Sequence, residues 1–211
     1  MFEMPRSLAR FAAIPALALL LTVGIASTAP AATVGEAAPA FTATAADGAT
    51  VKLEDYKGKI VVLEWFNKEC PFVRKHYDSK NMQNLQKELT AKDVVWLTVN
   101  SSAEGKQGHE TAASATETIA KEGAAPTHFL LDGDGTIGKL YDAKTTPHMF
   151  VIDKDGKLAY SGAIDDKAST YTSDIEGAKN YVRAAVDSLE KGEAVAETST
   201  KSYGCGVKYA D

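Results

Sequence analysis

Apolar and polar positions along the chain follow two periods. Ile60-Val61-Val62-Leu63-Glu64-Trp65-Phe66 and Val94-Val95-Trp96-Leu97-Thr98-Val99 are short, nearly continuous apolar runs, the pattern of strands buried on both faces. Thr50-Val51-Lys52-Leu53 alternates after the turn signal Asp47-Gly48, and Phe129-Leu130-Leu131 stops at Asp132-Gly133-Asp134-Gly135. His148-Met149-Phe150-Val151-Ile152 and Lys157-Leu158-Ala159-Tyr160-Ser161 flank Asp153-Lys154-Asp155-Gly156, which predicts a hairpin. Helical spacing falls between these runs. Residues 79–91 align Met82, Leu85 and Leu89, residues 109–122 are alanine-rich, and residues 137–141 suggest a short helix. Residues 174–190 align Ile175, Ala178, Tyr181, Val182, Ala185 and Leu189 on the apolar face of a final helix. From Gly192 the periodicity stops, which predicts a tail carrying Gly204-Cys205-Gly206. Strands alternating with helices, then a hairpin and a helix, predict an α/β fold with a mixed central sheet flanked by helices and a C-terminal extension.

The first residues change the picture of where this fold works. Arg6 and Arg10 precede an apolar stretch over residues 11–26, and Ala29-Pro30-Ala31 offers small residues for cleavage. We read residues 1–31 as an export signal, residues 32–192 as one folded domain and residues 193–211 as the tail. An uncleaved membrane anchor is the alternative. Export would place the chain in a bacterial periplasm or outside the cell. The net charge of −5 becomes more negative once Glu3, Arg6 and Arg10 are removed. With no basic stripe, nucleic acid is excluded as a main partner.

Two cysteines, Cys70 and Cys205, carry the candidate chemistry. Cys70 follows the first buried run and precedes Pro71, which suits the first turn of a helix. A thiol there faces unpaired N–H groups and the positive end of the helix dipole, so it ionises below its usual pKa of about 8.5. In an oxidising compartment two thiols invite a disulfide. A permanent Cys70–Cys205 staple would contribute about 5 kcal/mol through chain entropy. A domain of this size rarely needs one, so a cycling bond fits better. Asp132 to Gly135 and Asp153 to Gly156 lack the spacing of a calcium loop and read as turns.

The order of elements resembles the thioredoxin fold between Val34 and about Gly162. The opening VGEAAPAF and the later DYKGKIVVLEWF resemble its redoxin branch, the alkyl hydroperoxide reductase/thiol-specific antioxidant family, in an exported bacterial member. The segment KTTPHMFVIDKDGKLAYSG resembles the family's proline, strand and hairpin, and ECPF with TKSYGCGVKY resembles a bacterial group of redoxin-like proteins. The resemblance implies that Cys70 is the nucleophile and that Thr146-Pro147 is the cis-proline pair facing it. It implies that Glu64 is a buried acid moving protons for the thiol, although the residue could equally lie on a solvated edge. His148, directly after Pro147, would approach the cysteine. Arg74 could lower the thiol pKa, with Lys75 a bystander, and the Asn67 amide could hydrogen bond at the site.

The departures are equally specific. Val73 stands where thioredoxins carry a second cysteine, and Asn67 and Leu63 stand at positions that peroxiredoxins fill differently. Cys205 then becomes the candidate resolving thiol, within one chain or across a homodimer. The implied function is an exported thiol oxidoreductase acting on a peroxide or protein disulfide, reset by a thiol reductant and needing no cofactor. One rival is copper delivery by Cys70 and His148, with Cys205 as an optional third ligand, since thiolate with imidazole suits Cu(I). The other is a binding module with a static disulfide.

Overall fold

The computed structural model describes residues 1–2 and 31–211, so the export signal falls almost wholly outside the described residues. Strands β1 (Thr42–Ala45), β2 (Thr50–Lys52) and β3 (Val61–Trp65) lead into helices α1 (Pro71–Asp78) and α2 (Asn81–Thr90). Next come β4 (Val95–Asn100), α3 (Ala112–Glu122), β5 (His128–Leu131), α4 (Thr136–Leu140) and β6 (Thr145–Thr146). The chain closes with β7 (His148–Ile152), β8 (Leu158–Gly162), α5 (Tyr181–Glu190) and β9 (Cys205–Gly206). Seven strands form one sheet in the order β2-β1-β5-β4-β3-β7-β8, while β6 and β9 pair separately. The β3–β4 and β4–β5 pairs are parallel and the other pairs of the large sheet are antiparallel. This is the mixed sheet the hydrophobic pattern predicts.

The central strands lack alternation because both faces of the sheet are covered. Val62 and Phe66 pack with Val73, Tyr77, Met82, Leu85, Leu89 and Val182 on one side. Leu63, Trp65 and Leu97 pack with Phe41, Tyr141 and Phe150 on the other. Helix boundaries follow local chemistry. Thr111 caps α3 reciprocally with Ser114, and Gly123 ends it in the left-handed region at φ +64°. The final helix begins at Tyr181 rather than at 174. Gly177 turns the chain at φ +75°, and Asn180 caps α5 by accepting from the Arg183 N–H at 2.9 Å.

The segment beyond residue 192 is bound to the body as a strap. The Ser161 N–H donates to the Thr198 carbonyl at 3.1 Å and the Thr200 N–H returns to the Ser161 carbonyl at 3.2 Å. β9 then pairs antiparallel with β6 in the register Thr145↔Gly206 and Thr146↔Cys205. Farther on, the Ala103 N–H donates to Lys208 O at 2.8 Å and the Tyr209 hydroxyl to Ala143 O at 2.8 Å. These contacts are invisible to local patterning because each partner is far away in sequence.

Candidate active site

Cys70 is the N-cap of α1, with extended backbone (φ −76°, ψ 123°) and Pro71 at the first turn. Its carbonyl accepts the Arg74 N–H at 2.8 Å, and its own N–H donates to Asn67 O at 3.1 Å. The thiol donates to the Thr146 carbonyl at 3.0 Å, and the Thr146–Pro147 peptide is cis. Thr146 faces Cys205 across the β6–β9 pair, and its hydroxyl donates to Cys205 O at 3.5 Å. Both cysteines are free thiols; Cys70 is 0% exposed and Cys205 half-buried.

The two sulfurs differ in acidity. Burial pushes the Cys70 thiol up, but hydrogen bonds from the Cys205 thiol, the Thr146 hydroxyl and the Val73 and Cys205 backbone outweigh it. Cys70 therefore ionises below its ordinary range. Burial and the neighbouring Cys70 push Cys205 up to about 11. One thiol is thus favoured as an anion while the other is held protonated.

The remaining residues singled out in the sequence are placed as follows. Asn67 is buried and works on the backbone: its amide donates to Gln107 O at 3.2 Å and its oxygen accepts the Glu69 N–H at 2.9 Å. Arg74 is turned toward the Glu122 carboxylate, at 2.7 Å, and toward Asp78. Its charge is thereby neutralised on the flank of α1. Beside it, Lys68, Glu69, Arg74 and Glu122 line a cleft of about 400 Å³.

Glu64 is 0% exposed on β3, which decides against a solvated edge. It accepts hydrogen bonds from the Tyr77 hydroxyl (2.8 Å), the Gln86 amide (3.0 Å), the Trp96 indole (2.8 Å) and the Thr98 hydroxyl (3.1 Å). Burial raises its pKa and these four donors partly offset it. It shares the sheet face of Cys70 and reaches α1 through Tyr77.

His148 pairs with Trp65 across β3–β7, and its ring lies against that of Phe150, centroids 4.4 Å apart and planes tilted by 41°. That is the sheet face opposite the Cys70 cluster, so the expected approach of His148 to the cysteine does not occur. The copper-delivery reading needed His148 to converge with Cys70, with or without Cys205, and strand parity separates the imidazole from the thiols. Among the described residues no group of three or more His, Cys, Asp or Glu side chains is placed to hold a metal ion.

Sequence reading missed a polar cluster beside the site. Lys75, taken as a bystander, is 1% exposed and donates to Asp165 Oδ2 at 3.4 Å and Lys167 O at 2.6 Å. His76 is 0% exposed, and burial lowers its pKa to about 4. Both belong to the basic run after Cys70, where only contacts with residues 165–167 and 203 reveal that they point inward.

The AhpC/TSA family model matches residues 34–161. The thiol-disulfide oxidoreductase ResA of Bacillus thuringiensis is 27% identical over 59% of this chain; the match spans 66% of that protein, just under two thirds of its length. An uncharacterized conserved protein from Geobacillus kaustophilus superposes with a TM-score of 0.74 at 28% identity, covering 84% of this chain and 93% of that one. A provisionally assigned thiol:disulfide interchange protein DsbE from Chlorobium tepidum gives 0.51 at 27% identity, covering 62% and 85%. The fold is thioredoxin-like.

Proposed function

We infer that this chain, which belongs to the AhpC/TSA family, is a thiol oxidoreductase built on one acidic nucleophile, Cys70, and one remote resolving thiol, Cys205. The observation that carries this reading is the β6–β9 register. It sets Cys205 opposite Thr146, whose carbonyl accepts the Cys70 thiol.

With a hydroperoxide, the Cys70 thiolate attacks one peroxide oxygen and the O–O bond breaks. Sulfenic acid forms at Cys70, and the leaving alkoxide takes a proton to become an alcohol. The Cys205 thiol then attacks the Cys70 sulfur; a disulfide forms and water leaves. With a protein disulfide, Cys70 displaces one thiolate and holds the other half as a mixed disulfide, which Cys205 resolves. In both cases a thiol reductant returns the pair to the dithiol. Resolution within one chain accounts for the pairing, so this step needs no homodimer. The export signal read in residues 1–31 and the resemblance to ResA support an extracytoplasmic site of action.

The choice between substrates is made by mixing the reduced protein with one equivalent of hydrogen peroxide, quenching rapidly and measuring intact mass. Loss of two hydrogens mapped to Cys70 and Cys205, faster than a free small thiol reacts, is the outcome for a peroxidase. Oxidation no faster than a free thiol assigns the site to disulfide exchange. In either chemistry Cys70→Ser abolishes turnover, whereas Cys205→Ser leaves a sulfenic acid or mixed disulfide on Cys70. Full activity in Cys70→Ser would remove the assignment.

A further inference from the structure

The strap that brings Cys205 to the site is anchored by Tyr203, a residue the thiol chemistry above does not use. The Tyr203 hydroxyl donates to Asp165 Oδ1 at 2.5 Å and lies 3.1 Å from His76 Nε2. Its ring packs against Phe72 at 5.8 Å and lies 5.5 Å from the Lys75 ammonium, which also pairs with Asp165. Lys75, His76 and Asp165 are no more than 2% exposed. Phe72, Lys75 and His76 all lie on α1, the helix that Cys70 opens. One buried cluster therefore ties the strap to the element that carries the nucleophile. Such a cluster adds little net stability, yet removing one partner is costly because it strands the others.

Two residues farther on, the strap has no room to spare. Gly204 passes the site at φ +136°, and a Cβ there would meet the Thr146 carbonyl oxygen at 2.0 Å. Cys205 then pairs with Thr146, so β9 fills the strand edge beside Cys70 that an added extended peptide would pair with.

We propose that Tyr203, held by Asp165 and His76, is the positioning residue that keeps Cys205 on this edge, and that the docked strap makes Cys70 bond to Cys205 in preference to an extended thiol peptide. The proposal rests on the thiol reading above. Starting from a mixed disulfide of Cys70 with a peptide thiol, the Cys205 sulfur attacks the Cys70 sulfur. The Cys70–Cys205 bond forms, the mixed bond breaks, and the departing thiolate takes up the proton that Cys205 loses. The population of mixed disulfide falls as the effective concentration of Cys205 rises. Tyr203 touches neither sulfur and acts through the strand.

Glutathione is the probe. The full chain is equilibrated in reduced and oxidised glutathione, and the dithiol, the Cys70–Cys205 disulfide and the glutathione adduct are counted by intact mass. Tyr203→Phe keeps the ring against Phe72 and removes the hydroxyl. It is expected to lower the effective concentration of Cys205 about tenfold or more, and to raise the Cys70 adduct accordingly. Gly204→Ala should move the same equilibrium without touching the anchor. If both variants melt earlier than wild type but share its glutathione equilibrium, the anchor is only structural and the proposal falls. If wild type forms no Cys70–Cys205 bond at any ratio, the thiol reading itself fails.

Discussion

At the scale of single residues, the site depends on an uneven division of acidity between two chemically identical thiols. Cys70 is buried, which alone would make it a poor acid, and it ionises early only because neighbouring donors face its sulfur. The Cys205 thiol is the largest of these, ahead of the Thr146 hydroxyl. Cys205→Ala should therefore raise the Cys70 pKa, and Thr146→Val should raise it less. Thiolate absorbance followed against pH measures both shifts; an unchanged Cys70 titration in Cys205→Ala would show that the strap thiol does not stabilise the anion. Cys70 and Thr146-Pro147 were legible because their signals are local: a proline after a cysteine, and a proline before a strand. Arg74 was not, because the carboxylate that neutralises it, Glu122, ends a helix far along the chain. His148 was not, because all five residues of β7 are buried, leaving no alternation from which to read its face.

At the scale of elements, Glu64 links β3 to β4 through Trp96 and Thr98, to α1 through Tyr77 and to α2 through Gln86. Its four donors belong to the packing between these elements, and none of them is a thiol. Burial raises the Glu64 pKa, so its ionised form is disfavoured in the folded protein relative to the unfolded chain. Its contribution is best below the unfolded value of about 4.3 and declines as pH rises through the folded pKa. Glu64→Gln removes that decline, and its amide can still donate to the Tyr77 oxygen while its carbonyl accepts from the other donors. Urea unfolding from pH 4 to 7 should show the variant gaining on wild type as pH rises. A constant difference across that range would mean that Glu64 titrates in the folded protein as it does in the unfolded chain, so that burial does not raise its pKa. The strands and most helices could be read from their periods. The start of α5 could not, because Ile175 and Ala178 fit the apolar face of the following helix while Gly177 and Asn180 dictate the break.

For the molecule as a whole, the nucleophile is covered in the reduced protein. Cys70 is 0% exposed, beneath a strap held by backbone bonds from Thr198 to Lys208 and by the Tyr203 cluster. The expected route of an oxidant to the sulfur is through lifting of this strap, none of whose residues is fully buried and which should open at lower free energy than the packed sheet. A Cys70–Cys205 bond would close that route by linking the strap covalently to α1. It would also restrict the unfolded chain across a long loop, worth up to about 5 kcal/mol. Hydrogen exchange should therefore show residues 198–211 opening ahead of the central sheet in the reduced protein and becoming protected on oxidation, with a higher unfolding midpoint. Alkylation of Cys70 should proceed no faster than strap opening, and Gly204→Ala should accelerate it. If Cys70 alkylates at the same rate in both proteins while the strap amides stay protected, the sulfur is reached by another path and the strap does not control access.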